Sequence, residues 1–319
     1  MKLAVLTAPE TFEVRDVPRP VAGPGEVLLD VAVCGVCASE LEPFTGRVES
    51  EYPRYLGHEA SGTVVALGDG VRDGATGLAV GDRVGAWVTS HGFAEQIAVP
   101  AAHCFTVGDV PVETALAEPL ACAVNAVELA DVRLGDDVVI IGAGYMGLLV
   151  QLLVSLRGPR QIVVADTRAD ALERARAFGA TRTVLVGEES PAEEVAAATG
   201  GVLADVCFEC TGTQPALETV GEVTRMSGKV VLVGYHQGPD RAIPLGFWNW
   251  MAYDIRNGHF RDVPVILRGM RIGARLTGAG LLDQTPLITH RFGLDDIAEA
   301  FSAAVTKPSG FVKATVVMG

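Results

Sequence analysis

Three short segments hold side chains able to bind a metal, move a proton or seat a phosphate. Cys37-Ala-Ser39-Glu40 follows the apolar run EVLLDVAVC, and Gly57-His58-Glu59 precedes the run ASGTVVALG. A thiolate, an imidazole and a carboxylate are donors that suit Zn²⁺, and a catalytic zinc keeps one position open for water or substrate. Taken singly they are weak signals, because a histidine in a turn is more often a packing or surface residue and a lone glutamate is usually just solvated.

The third segment is Gly142-Ala-Gly144-Tyr145-Met146-Gly147, which ends the run DDVVIIG and opens the apolar stretch LLVQLLVSL. The next run, QIVVAD, ends in Asp166, 24 positions after Gly142. Strand, glycine turn, helix and an acid closing the next strand are the parts of a dinucleotide site. Gly142 permits the tight turn, Gly144 lets the backbone approach a pyrophosphate, and Gly147 allows close helix–strand packing, while the helix start offers free N–H groups to the anion. Asp166 can accept hydrogen bonds from the adenosine ribose hydroxyls, or else cap the helix RADALERA. Its charge repels a 2′-phosphate, so NAD is expected over NADP; Arg168 is the residue that would reverse that order by neutralising the phosphate.

These segments need elements to position them. From Met1 to about Val99 the chain is rich in Gly and Pro, with the short runs KLAVL, EVLLDVAVC, ASGTVVALG, DRVGAWV and AEQIAVP, the pattern of an irregular, mostly β domain. From about Ala121, the runs DDVVIIG, QIVVAD, RTVLV, ADVCFEC and KVVLVG alternate with amphipathic stretches such as ADALERARAFGA, which predicts a parallel, doubly wound α/β sheet buried on both faces. After about Phe260 come a helix-like segment, GMRIGARLTGAGLL, then THRFGLDDIAEAFSAAVT and a last strand, FVKATVVM. That tail is too short to fold alone and is expected to rejoin the first domain. The expected division is residues 1–120 with 260–319, and 121–259 for the dinucleotide-binding domain.

Composition narrows the classes of function. A net charge of −14 over 319 residues disfavours binding to nucleic acid or to a membrane surface. The opening MKLAVLTAPETFEVRDVPRP has no uninterrupted apolar core, and no later stretch offers about 18 apolar residues in a row. Six scattered cysteines argue for reduced thiols, so the expected compartment is the cytoplasm. The pairs Cys34/Cys37 and Cys207/Cys210 are not read as a second metal site, because a three-residue offset within the strand DVCFECTG turns the side chains to opposite faces.

The ordered set CGVCASE, GHEASGTV, VGDRVGAWV, GFAEQIAVP, LAEPLACAV, VVIIGAGYMG, GKVVLVGY and GFVKATVV, spanning nearly the whole chain, resembles the zinc-binding medium-chain dehydrogenase/reductases. The resemblance implies a Rossmann domain inserted into a mostly β, GroES-like catalytic domain, in an enzyme that moves a hydride between NAD and a small alcohol or carbonyl substrate. It implies one catalytic zinc per chain, held by Cys37 and His58 with Glu59 as a neighbouring carboxylate that binds or supports the metal. Glu118, in AEPL, matches the third ligand position, which is Cys in the liver alcohol dehydrogenase branch and Glu in the sorbitol and threonine dehydrogenase branches. The carboxylate version points toward polyol-like or amino-alcohol substrates, with sugars and cyclitols also open. Ser39 matches the hydroxyl that relays the substrate proton. Tyr145, Met146, Thr211, Gly234 and Tyr235 fall on cofactor-contacting positions, and Lys313 matches a basic residue used on the cofactor phosphates. Homodimers or homotetramers are usual in the family.

Two positions depart from the pattern. Glu40 stands where an aspartate usually orients the histidine ligand, and Glu42 where many relatives have a histidine that ends the proton relay; the proton would then leave by ribose hydroxyls and water, or by Glu42 itself. The four-cysteine lobe that carries a structural zinc in many relatives is missing, since DRVGAWVTSH runs straight into GFAE. Trp248 and Trp250 are read equally well as cleft-lining or as packing, and His290 as structural. Two other functions share these residues: a zinc-free NAD(P)H-dependent enone or quinone reductase of the same fold, whose members normally lack the Cys/His/Glu set, and a nucleotide-binding protein without turnover.

Overall fold

The chain builds one unit from its two ends and another from its middle. In the computed structural model, which describes residues 1–71 and 77–319, Met1–Ala121 and Ile266–Gly319 form the first unit and Cys122–Val265 the second. The first begins with an antiparallel hairpin of β1 (Lys2–Ala8) and β2 (Thr11–Asp16). There follow β3 (Glu26–Gly35), the short helix α1 (Leu41–Thr45), β4 (Glu59–Leu67), β5 (Arg83–Ala86), β6 (Gln96–Pro100) and β7 (Cys104–Thr106). Val27, Leu29, Val31 and Val33 of β3 are all buried, the period of two that turns one face of a strand to a core. Phe12, Phe44 and Phe93 gather around Phe301 in that core, with ring centroids 5.0–5.6 Å from it.

Helix α2 (Ala117–Ala130) carries the chain into the second unit. Strands β8 (Asp137–Ile141), β9 (Gln161–Asp166), β10 (Arg182–Leu185), β11 (Ala204–Glu209), β12 (Thr224–Leu232) and β13 (Asp254–Asn257) form one sheet in the order β10-β9-β8-β11-β12-β13. Every pairing in it is parallel. The connections are α3 (Tyr145–Ser155), α4 (Ala169–Ala177), α5 (Pro191–Thr199), α6 (Gln214–Val223) and α7 (Leu245–Trp250). This is the doubly wound order, with its topological switch between β8 and β11. All five residues of β8 are buried, as expected of a central parallel strand covered on both faces. The sixth strand, Asp254-Ile-Arg-Asn257, has no apolar run to announce it, because it lies at the sheet edge and is mostly exposed.

Helix α8 (Val263–Gly278) leads back to the first unit, where β14 (Ile288–Gly293), α9 (Ile297–Thr306) and β15 (Lys313–Val317) complete a seven-stranded sheet. Its order is β14-β15-β3-β4-β5-β7, with β6 also paired to β3. The unit bounds at 121/122 and 265/266 fall inside α2 and α8. The sequence reading placed them at 120/121 and 259/260; no linker composition marks either junction, because each is a continuous helix. Among the described residues, no helix is long and apolar enough to cross a membrane.

Candidate metal and dinucleotide sites

In the first unit, β3 and β4 run antiparallel with Gly35 opposite Glu59, so the end of one strand and the start of the other meet. Cys37 lies just past β3, at the entry to a 3-10 turn of Ala38–Glu40, and Ser39 Oγ lies 3.3 Å from Cys37 Sγ. Gly57 has φ +94°, and a side chain there would strike the backbone nitrogen of Phe93. Only glycine fits this approach, and the turn it permits aims His58 at Cys37. Donor atoms of Cys37, His58 and Glu59 all lie within 4.8 Å of one another, the one such trio among the described residues. Zinc bonds of 2.0–2.3 Å separate tetrahedral donors by about 3.3–3.8 Å, so these atoms need draw in by no more than about 1.5 Å. Sulfur, nitrogen and carboxylate oxygen also match the preference of zinc.

Around the trio is a second layer of charge. Glu40 is buried, and its Oε1 accepts the Gly57 N–H at 2.7 Å and meets His58 Nδ1 at 3.1 Å. That contact leaves His58 Nε2 to face a metal, the usual division of labour for a ligating imidazole. Glu40 Oε2 is buried and has no hydrogen-bond partner among the described residues; the extra methylene relative to aspartate is accommodated with one oxygen doing both tasks. Burial by itself would lower the His58 pKa, but the Glu40 carboxylate and the Cys37 sulfur outweigh it and push it up to about 12. The same negative groups favour a cation among the donors.

Lys313 reaches the same place from β15. Its buried ammonium lies 2.6 Å from Glu59 Oε2, donates to Glu59 Oε1 at 2.8 Å, and donates to the Val36 carbonyl at 2.9 Å. Burial opposes its charge, yet Glu59, Cys37 and Glu118 together raise its pKa. Where the resemblance implies a basic residue for the cofactor phosphates, the structure places the Lys313 ammonium on the metal-site glutamate. Glu118 falls outside the trio, on the first turn of α2, and its charge helps to raise the Lys313 pKa. Glu42 is half-buried on the first turn of α1. His91, the nearest histidine to the missing lobe, stacks on Tyr55 with centroids 4.5 Å apart, and His290 contacts Thr289 and Phe311.

The second unit carries the glycine turn at the carboxyl edge of its sheet, where doubly wound folds bind nucleotides. Gly142 has φ +100° and donates to the Ala165 carbonyl at 2.8 Å, and a side chain on it would strike Thr211. A side chain on Gly147 would strike the Gly142 carbonyl, whereas the space over Gly144 is open to 4 Å. The conformation of Gly142 and the close approach at Gly147 suit a tight turn and close helix packing. Tyr145 is buried at the start of α3, with Met146 half-buried beside it. Asp166, ending β9, accepts the Ala143 N–H on Oδ2 at 2.7 Å and the Arg168 N–H on Oδ1 at 2.8 Å. The Arg168 guanidinium lies 3.8 Å from the same carboxylate. Each carboxylate oxygen keeps a further lone pair for a ribose hydroxyl.

Sequence reasoning missed a group beside this loop. Glu209, ending β11, is fully buried, and its carboxylate binds Thr211, Gly212 and His236. The only sequence signal was an acid closing an apolar strand, the same signal that singled out Asp166. Gly234 and Tyr235 follow β12, and the exposed Tyr235 ring tilts against His259. Of the two tryptophans, Trp248 packs in the core at 2% exposure and Trp250 is 77% exposed.

Comparison with known proteins covers parts of both units. Residues 23–109 match the alcohol dehydrogenase GroES-like domain and residues 146–255 match zinc-binding dehydrogenase. Sorbitol dehydrogenase of Gallus gallus is 32% identical, over 91% of this chain and 88% of that protein. L-threonine 3-dehydrogenase of Edwardsiella ictaluri is 29% identical, over 97% and 98%. A protein of Sinorhizobium meliloti solved bound to NADP is 26% identical, covers 99% of each chain, and superposes with a TM-score of 0.87.

Proposed function

Because this chain belongs to the zinc-binding medium-chain dehydrogenase/reductases and is an oxidoreductase, we propose that it oxidises a small secondary alcohol with NAD, in the cytoplasm and as a homo-oligomer. The alcohol is of polyol, sugar, cyclitol or amino-alcohol type. The observation that carries the reading is the Cys37, His58 and Glu59 trio with the Ser39 hydroxyl beside the thiol. When bound there, zinc lowers the pKa of a coordinated hydroxyl, and the dinucleotide accepts the hydride. Cys37, His58 and Glu59 would hold the metal, with Glu118 outside the trio. Glu40 fixes the imidazole, and Lys313 balances the carboxylate. Ser39 takes the substrate hydroxyl proton and passes it outward. Sorbitol and threonine dehydrogenases among the relatives support an alcohol flanked by polar groups.

NADP is the second reading. It is supported by Arg168, held beside Asp166, and by the related structure that binds NADP. Asp166 favours NAD because its carboxylate sits where a 2′-phosphate would have to approach.

The test is nucleotide reduction over a panel of hexitols, pentitols, inositols and β-hydroxy amino acids, with NAD and NADP in parallel. We expect turnover on at least one member that stops on chelation and returns with Zn²⁺. Ser39→Ala is expected to lower kcat by about 10²–10⁴-fold, the scale of losing a positioned proton-transfer group. Turnover indifferent to chelation, and unchanged in Ser39→Ala when chemistry limits the rate, overturns the proposal.

A further inference from the structure

The second unit holds a glutamate–histidine pair that neither the glycine turn nor the metal site uses. Glu209 Oε1 accepts three hydrogen bonds, from the Thr211 N–H at 2.7 Å, the Thr211 hydroxyl at 2.6 Å and the Gly212 N–H at 2.9 Å. Its backbone carbonyl accepts the Val233 and Gly234 N–H groups, both at 2.8 Å. The residue therefore ties the loop after β11 to the loop after β12. Its second carboxylate oxygen has one partner, His236 Nε2, at 3.0 Å.

That contact fixes one face of the imidazole. A carboxylate accepts and does not donate, so Nε2 carries a hydrogen toward Glu209, and the other ring nitrogen is Nδ1. Nδ1 is buried and has no hydrogen-bond partner among the described residues. A buried polar atom without a partner is uncommon enough to require a reason, and one reason is a ligand group that completes it.

Position in the sheet says which ligand group. Glu209 pairs in register with Ile141, the residue before Gly142, and the Cys210 N–H donates to the Ile141 carbonyl at 2.9 Å. The pair thus adjoins the glycine turn on the β11–β12 side of the topological switch. Asp166, bound to the turn from β9, marks the opposite side for the adenosine. A dinucleotide laid across the carboxyl edge of such a sheet puts its other nucleoside over β11 and β12.

We propose that His236, held in its Nε2–H form by Glu209, accepts a hydrogen bond through Nδ1 from a donor on the nicotinamide riboside half of the cofactor. This rests on the reading of the chain as a nicotinamide-dinucleotide enzyme. The shared chemistry is a donor facing an imidazole lone pair; it is supplied either by a ribose hydroxyl or by the carboxamide amino group.

The test is calorimetric titration of NADH, ADP-ribose and ADP onto native protein, His236→Phe and His236→Asn. Phenylalanine keeps a ring but cannot accept, whereas asparagine carries an acceptor at the branch position of Nδ1. His236→Phe is expected to weaken NADH binding about 3- to 10-fold, the scale of one lost hydrogen bond, with ADP binding unchanged within twofold, and His236→Asn to recover most of the loss. A matching loss for ADP-ribose assigns the donor to the ribose, and a loss confined to NADH assigns it to the carboxamide; either supports the proposal. Unchanged NADH affinity in His236→Phe, an equal loss for ADP, or no recovery in His236→Asn overturns it. Native protein that binds none of the three ligands overturns the dinucleotide reading itself, a different result from any of these.

Discussion

The two sites are built in opposite ways. The dinucleotide turn is contiguous: six residues, Gly142 to Gly147, present backbone N–H groups, and Asp166 steadies them through one backbone hydrogen bond, from the Ala143 N–H. The metal trio is dispersed, with donors at positions 37, 58 and 59, an orienting glutamate at 40 and a balancing ammonium at 313. Its members are half-buried or buried ionisable groups that need one another. Removing one partner of a buried pair leaves the other uncompensated, typically at about 3–5 kcal/mol. A site carried by backbone atoms loses less, because a side-chain change leaves most of its donors in place. The difference predicts where single substitutions are severe and where they are graded.

The largest contrast is expected from Cys37→Ser and His58→Ala. Each should bring bound zinc below a tenth of an equivalent and alcohol oxidation down by at least about 10³-fold, since a metal acting on a hydroxyl contributes several kcal/mol. NADH affinity should stay within twofold, because the glycine turn lies in the other unit. Metal analysis with calorimetry checks both halves, and near-normal turnover in a zinc-free variant breaks the comparison. Glu40→Gln comes next: it retains the volume but loses the charge facing His58, and zinc affinity measured by competition with a chelator should fall about 10- to 100-fold. An unchanged affinity would show that the Gly57 turn alone orients the imidazole. The smallest effect is expected at the backbone-carried site. Asp166→Ser should shift the ratio of kcat/KM for NAD over NADP toward NADP by several-fold, at about 1 kcal/mol of altered hydrogen bonding. A native preference for NADP would reverse this order and give Arg168 the phosphate.

The same contrast explains what was legible beforehand. The glycine turn could be read from its own residues, because tight turn, backbone approach and helix packing each demand glycine at one position of a short stretch. The strands of the second unit were legible for a related reason, since burial on both faces makes them continuous apolar runs. β13 was not, since an edge strand needs no such run. The metal residues gained meaning only together, through resemblance, since nothing in GHE or CASE reveals that β3 and β4 meet with Gly35 opposite Glu59. Lys313 shows the limit of that route: a basic residue was foreseen, but its partner was set by the pairing of β15 with β3, which no local pattern records. Glu209 and His236 escaped notice because two loops bring them together, 27 positions apart.

The contact between Lys313 and Glu59 spans 254 positions of chain, and β15 is the strand that lies between β14 and β3. On a ribosome adding about 5–20 residues per second, Glu59 emerges roughly 10–50 s before the lysine that balances it. All of Cys122–Val265 is made in that interval. The middle unit can therefore complete its sheet during synthesis, while the metal site has its donors early but waits on the last strand for its counter-charge. A nascent chain therefore carries an unbalanced Glu59 carboxylate until β15 has been made.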